Sequence, residues 1–226
     1  MRINKLLSNY GVCSRKETNR LIEENRIIVN GKLCIKGQWV EETDEILLDN
    51  KILKPMEKVY IALNKPEGIT CTAAEDVDNN IIKFMNYKNY IFPVGRLDKE
   101  SEGLIIMTND GDLANKILES ENNHEKEYIV RVDKPFDDDF INGMSKGVEI
   151  LKVKTRPCKV SRINDDTFRI ILTQGLNKQI RRMSRAFGYT VISLKRIRIM
   201  NINITGIEKG NWRNLTEKEV EELKNY

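Results

Sequence analysis

The sequence predicts an α+β protein of two unequal domains: a small helical and hairpin domain, then a larger one with a largely antiparallel, mixed-topology sheet flanked by helices. Three observations carry this expectation. Helical periodicity up to Glu24 gives way to short strands. A polar stretch from Asp49 to Glu57, holding Lys51, Lys54 and Pro55, precedes a new apolar run at Val59. Beyond it, strands follow one another through short turns without a regular βαβ rhythm, which favours antiparallel pairing over a doubly wound parallel sheet. The expected division is therefore 1–48, a linker at 49–57, and 58–226. At 226 residues and 40% hydrophobic content the chain can bury a substantial core.

Ile3 to Ser8 and Ser14 to Glu24 carry apolar positions at helical spacing, and Ser14 followed by Glu17 is a capping-box signal. Ile27-Ile28-Val29 reads as a strand, and Asn30-Gly31 as a type I′ turn into Lys32-Leu33-Cys34-Ile35. In the second domain the pattern predicts strands near 59–64, 103–108, 126–133, 153–163, 167–174, 189–202 and 211–215. Helices are predicted near 79–86, 111–119, 137–146, 177–187 and 216–224. The run Leu104-Ile105-Ile106-Met107, bracketed by Gly103 and Asn109-Asp110-Gly111, is too short for a helix and reads as a core strand. Asp110 reads as the cap of the helix that follows.

Net charge is only +4, but its distribution is uneven. Met1 to Val40 holds eight Lys/Arg against three Glu, and Gln174 to Met200 holds seven against no acid. Two basic patches fit a polyanion lying across both ends of the molecule; each alone also fits a solvated helix face. Cys13, Cys34, Cys71 and Cys158 form no Cys-x-x-Cys pair and share the chain with the single His124, which argues against zinc. The start Met-Arg-Ile-Asn-Lys-Leu has no signal-peptide core, and no stretch approaches the roughly 20 apolar residues of a membrane span. The expectation is a reduced, cytoplasmic, monomeric protein with no membrane contact. Walker-type and Rossmann glycine patterns are missing, Glu100-Ser101-Glu102-Gly103 lacks the first glycine of a nucleophile elbow, and Asn109-Asp110-Gly111-Asp112 lacks the later ligands of a calcium loop.

One acidic residue stands out by position. Asp98 lies in a polar loop directly before the strand at 103–108. Taken alone it suits a turn cap, the commonest task of an Asp between structured segments, as well as an active-site carboxylate. The longer pattern Gly95-Arg96-Leu97-Asp98, then Ser101-x-Gly103, the apolar quartet and Thr108-Asn109 resembles the signature of RsuA/RluF-type RNA pseudouridine synthases. Three other stretches line up with that family: Leu63-Asn64-Lys65-Pro66-Glu67-Gly68, which alone reads as an ordinary turn; Lys126-Glu127-Tyr128; and Gly175-Leu176-Asn177-Lys178-Gln179-Ile180-Arg181-Arg182-Met183. The last is most similar to the RluF type, which acts on large-subunit rRNA. At the other end, Arg2-Ile3-Asn4-Lys5-Leu6-Leu7 and Cys13-Ser14-Arg15 in a helix, helix, hairpin order resemble the S4 RNA-binding domain.

The resemblance implies an isomerase that detaches uracil, rotates it and reattaches it through carbon, a reaction requiring no cofactor or metal. It implies Asp98 as nucleophile, Tyr128 stacking on the target uracil and relaying a proton, and Arg181 pairing with Asp98 to keep it ionised and oriented. Strand geometry puts Lys126 and Tyr128 on one face, where Lys126 helps hold the site. Arg96, Leu97, Lys99, Lys178, Gln179, Ile180 and Arg182 are the expected RNA neighbours in the second domain, and Arg2, Lys5, Arg15, Lys16 and Arg20 in the first. Structured RNA is the expected partner, with large-subunit rRNA first and a tRNA anticodon-type loop second. Some members of the family carry a basic tail; here the last stretch, Glu217 to Glu222, is acidic, and no tail contact with RNA is expected. The competing expectation is a non-catalytic S4-type RNA-binding or ribosome-assembly factor. The two part at Asp98, Tyr128 and Arg181, because a relic has no reason to keep all three.

Overall fold

A computed structural model describes residues 1–74, 77–119 and 123–226 of the chain. The N-terminal unit opens with α1 (Ile3–Asn9) and α2 (Arg15–Glu23). Ser14 caps α2 by accepting the Glu17 N–H at 3.1 Å; the Glu17 side chain, instead of closing a capping box, pairs with Arg20. β1 (Ile27–Val29) turns into β2 (Lys32–Leu33) through Asn30 and Gly31, both at positive φ, as a type I′ turn requires. β3 (Ile46–Leu48) and β4 (Lys51–Ile52) complete a sheet ordered β2-β1-β3-β4. Lys51 and Ile52 fall in the stretch expected as linker. Asp49 and Asn50 turn β3 into β4 with the same pair of positive φ values, but without a glycine to mark the turn. The small core is Ile3, Leu6 and Leu7 against Leu21, Ile22, Ile27, Val29 and Ile46.

The second unit has β5 (Tyr60–Lys65), α3 (Ile81–Met85), β6 (Phe92–Val94), β7 (Glu102–Thr108), α4 (Gly111–Leu118) and β8 (Lys126–Val132). There follow α5 (Asp138–Ser145), β9 (Glu149–Ile150), β10 (Val153–Lys154), β11 (Lys159–Arg162), β12 (Thr167–Leu172) and α6 (Gln179–Ala186). β13 (Val191–Ile199), β14 (Ile202–Asn203), β15 (Trp212–Asn214) and α7 (Glu217–Asn225) close the chain. The main sheet runs β11-β12-β8-β13-β7-β5-β15, with β14 on β13 and β6 on β7. Among the described strands every pairing is antiparallel except β13 with β7.

The quartet 104–107 explains its own composition. Ile105 and Met107 enter the core beneath α3, α5 and α6, whereas Leu104 and Ile106 enter the core beneath α4 and α7. A strand buried on both faces cannot alternate apolar and polar residues. The single strand expected over 153–163 is instead two. Leu151 and Lys152, at positive φ, fold β10 back on β9, and Pro157, which has no N–H to donate, lies in the gap before β11. The strand expected over 189–202 breaks at Met200, also at positive φ.

The two units are docked. Lys5 pairs with Asp112 on α4 at 2.7 Å, Lys58 Nζ donates to the Asn9 carbonyl at 3.2 Å, and the Tyr90 N–H donates to the Gly11 carbonyl at 3.0 Å. A Cβ on Gly111 would stand 2.6 Å from Asn9 Oδ1, so the approach of α1 to α4 depends on that glycine.

The parallel junction is tighter still. Gly103 has φ of 109°, and a Cβ there would lie 2.2 Å from the Arg196 carbonyl oxygen and 2.7 Å from its nitrogen. Neither backbone atom can swing aside as a side chain would. Gly103→Ala is therefore expected to destabilise the fold by about 2 kcal/mol or more, measured as a lower urea midpoint with an unchanged slope.

Candidate active site

Asp98 sits in the loop that enters β7, on the wall of an open cleft of about 810 Å³. Three hydrogen bonds hold this loop, one within it and two from the segment at 68–71. The Ser101 N–H donates to the Asp98 carbonyl at 3.0 Å, closing a turn. The Gly68 N–H donates to the Lys99 carbonyl at 2.8 Å, and the Leu97 N–H meets Cys71 Sγ at 3.4 Å. The turn at 66–68 is thus more than a connection between elements, since its last residue braces the loop that carries Asp98.

Arg181 approaches from α6. Its Nη1 donates to the Val191 carbonyl at 3.1 Å, and Nη2 reaches Ser101 Oγ at 3.2 Å and the Glu100 carbonyl at 3.4 Å. Those bonds fix the guanidinium so that Nε stands 3.8 Å from Asp98 Oδ2. Nε is buried and has no hydrogen-bond partner. The pair is in ionic contact but longer than a charge-assisted hydrogen bond, which leaves the carboxylate oxygens open to a reacting group. Tyr128, only 9% exposed, and Lys126 line the same cleft from β8, as their two-residue spacing predicts.

Beneath this wall lies buried positive charge. Lys65, fully buried, donates from Nζ to the Pro66 and Ile69 carbonyls, each at 2.9 Å. Burial lowers its pKa, with nearby Arg196 acting in the same direction. Arg196, 3% exposed, donates from Nε to the Leu104 carbonyl at 2.6 Å, while its Nη2 has no partner. Lys126 is the most perturbed cation of the cleft: burial first, and Arg196 second, bring its pKa down to about 8. Arg196 is the residue that sequence reasoning misses, because along the chain it is one of several charges in a basic strand.

Of the residues expected to face RNA, Arg96, Lys99 and Lys178 are exposed at the cleft. Leu97 and Ile180 line it from beneath, as members of the main core. Gln179 is buried, its Oε1 accepting the Leu176 N–H at 3.0 Å, so its first task is to shape the loop at 173–178. Arg182 is exposed and turns back to Asn177, its Nε donating to the carbonyl at 3.0 Å. In the N-terminal unit Arg2, Arg15 and Lys16 are exposed. Lys5 is committed to Asp112, and Arg20 to Glu17 and Glu24, so both are ion-pair partners before any RNA arrives. α6 begins at Gln179 with no side-chain cap, and Lys178 stands before it at φ of 49°.

Comparison with known proteins follows the same division. Residues 59–186 match the family model described as RNA pseudouridylate synthase, and residues 1–46 match the S4 domain. The dual-specificity RNA pseudouridine synthase RluF of Salmonella typhi is 49% identical over 225 residues, which cover 98% of this chain and 78% of that one. Ribosomal large subunit pseudouridine synthase B of Bacillus subtilis is 32% identical over 232 residues, 99% of this chain and 95% of its own. A crystal structure of a pseudouridylate synthase superposes with a TM-score of 0.72 at 26% identity, covering 99% of each chain.

The lowered pKa of Lys126 has a thermodynamic consequence. Between about pH 8 and the ordinary lysine value of 10.5 the unfolded chain holds a proton at this position that the folded protein has released. Stability from this group therefore rises with pH across that window. Lys126→Met should remove that rise, so urea titrations of both proteins at pH 7.5 and 9.5 are expected to show the variant's relative advantage shrinking as pH increases.

Proposed function

The chain belongs to the RNA pseudouridylate synthase family, with an S4 domain ahead of the catalytic one, and on that premise we propose that it acts through Asp98 on a uridine in structured ribosomal RNA. Isomerising uridine to pseudouridine breaks the bond from N1 to the sugar and makes one from C5. The base stays, nothing is added, and the C5 hydrogen leaves as a proton. Asp98 is the nucleophile, Tyr128 stacks on the uracil and relays a proton, and Arg181 orients the carboxylate.

The observation that carries this reading is the convergence of Asp98, Tyr128 and Arg181, from a loop, a strand and a helix, on one cleft. A non-catalytic relic would have no need of a half-buried guanidinium whose two terminal nitrogens are fixed by hydrogen bonds and whose buried Nε faces one carboxylate. The target base must leave its stack to enter such a cleft, and Arg96 at the rim is positioned to hold the displaced strand. The names of the relatives, one a ribosomal large subunit synthase and the other dual-specificity, support large-subunit rRNA and a second substrate, proposed to be a tRNA anticodon-type loop. The four cysteines are free thiols, which fits the cytoplasm. Mapping pseudouridines in total RNA from a strain lacking the gene tests the substrate: the reading expects loss at a discrete uridine of large-subunit rRNA, and an unchanged map would overturn it.

Asp98→Asn keeps the shape of the side chain but removes its charge. It should abolish tritium release from RNA labelled at uridine C5 while leaving folding and RNA affinity nearly unchanged. Arg181→Met should cripple turnover as well; a near-wild-type rate would make the ion pair irrelevant to the chemistry.

We further propose that the N-terminal domain supplies phosphate contacts without reading sequence. With Lys5 and Arg20 already paired, these fall to Arg2, Arg15 and Lys16. Removing residues 1–56 should leave a soluble protein that binds rRNA far more weakly. The slope of log affinity against log salt should drop by about one unit for each phosphate that is no longer neutralised. Equal slopes and affinities would show that this domain does not hold the substrate.

A further inference from the structure

A second pocket, of about 400 Å³, opens where the two units meet. Arg15 of α2 lines it on one side, and Tyr90, Phe92 and Asn115 of the second unit on the other. It is separated from the Asp98 cleft only by Pro93 and Leu118, and both residues line both cavities. Leu118 is 46% exposed, a large apolar side chain standing on the ridge between them. The Tyr90 and Phe92 rings lie 6.1 Å apart with their planes tilted by 42°, so the pocket offers aromatic surface beneath an exposed guanidinium. Its position is fixed by the docking bonds already described, because the Tyr90 N–H holds the Gly11 carbonyl and Gly111 admits Asn9 at its base.

We propose that this interdomain pocket binds a nucleotide of the substrate strand next to the target uridine, its base against Tyr90 and Phe92 and its phosphate at Arg15. The inference rests on the reading that the substrate is RNA, and it extends it: the strand that delivers one base to Asp98 unstacks a second one across the Pro93–Leu118 ridge. Three features select a nucleotide of the same strand as occupant. The pocket adjoins the Asp98 cleft across a ridge of two shared residues, Pro93 and Leu118, a proximity that a separate small ligand would not need. An aromatic wall beside a cation suits a flat base joined to a phosphate. The two domains share the pocket, so filling it would lock the S4 domain onto the same strand that the catalytic domain is modifying.

The test uses the full-length protein and a stem-loop RNA carrying the uridine located by the mapping experiment, with an abasic ribonucleotide placed in turn on either side of the target. For the wild type, one of the two positions should raise KM roughly tenfold, the loss of one stacked base. Asn115→Trp, on the exposed face of α4, fills the pocket without touching the Asp98 cleft. It should raise KM for the intact RNA and make the abasic substitution silent. Arg15→Ala, on the exposed surface of α2, should raise KM for the intact RNA too, and serves as the second variant if the tryptophan prevents folding. An abasic penalty of the same size in wild type and Asn115→Trp, unaltered KM in Arg15→Ala, or no abasic penalty at either position would overturn the pocket assignment alone. No turnover of the intact stem-loop by the wild type would overturn the RNA reading and this inference with it.

Discussion

Everything at the active site depends on β13 lying between β7 and β8. Asp98 precedes β7, Lys126 and Tyr128 belong to β8, and Arg181 is on the helix that leads into β13. β13 pairs along most of its length with β8 but meets β7 in parallel at only two positions, Lys195 opposite Glu102 and Arg196 opposite Gly103. The two halves of the sheet are therefore joined at a short seam, and the Asp98 carboxylate stands at its mouth. The seam requires a residue without a Cβ, and Gly103 supplies it. The Arg196 side chain bonds the Leu104 carbonyl across the same junction and closes it from within.

That geometry also sets the electrostatics. Arg196 cannot close the seam without burying a guanidinium, and its charge falls on Lys65 and Lys126 on either side. With Arg181, four cations surround a wall on which Asp98 is the acidic residue facing the cleft among the described residues. In water such an arrangement would be screened; in a partly desolvated cleft it attracts the phosphates of RNA. Arg196, which closes the seam, thus also adds to the positive charge that suits the site to a polyanion.

Much of this was legible in the sequence, for physical reasons that can be named. The quartet 104–107 reads as a core strand because it is too short for a helix and is bracketed by turn residues, and Asn30-Gly31 reads as a tight turn because few dipeptides accept two positive φ values. The family resemblance then pointed to Asp98, Tyr128 and Arg181, and the cleft brings all three together. What stayed hidden was long-range. Nothing local distinguishes Arg196 from Arg198: one is buried at the seam, while the other is paired with Glu125 and Glu127 on the opposite face. Nor does a helical pattern reveal that Lys5 will meet Asp112, more than a hundred residues away. β3 and β4 were missed because two or three residues are too short to show a period, and because Asp49-Asn50 makes its turn without glycine.

The central claim is that this assembled cleft converts uridine to pseudouridine in ribosomal RNA. Its most direct test is to incubate the purified protein with large-subunit rRNA transcribed in vitro, which carries no modification, and to map pseudouridine by carbodiimide-dependent stops in reverse transcription. The account predicts a new stop at a discrete uridine that grows with time of incubation. A transcript that binds the protein yet shows no stop at any uridine would contradict it and leave the chain as an RNA-binding protein only.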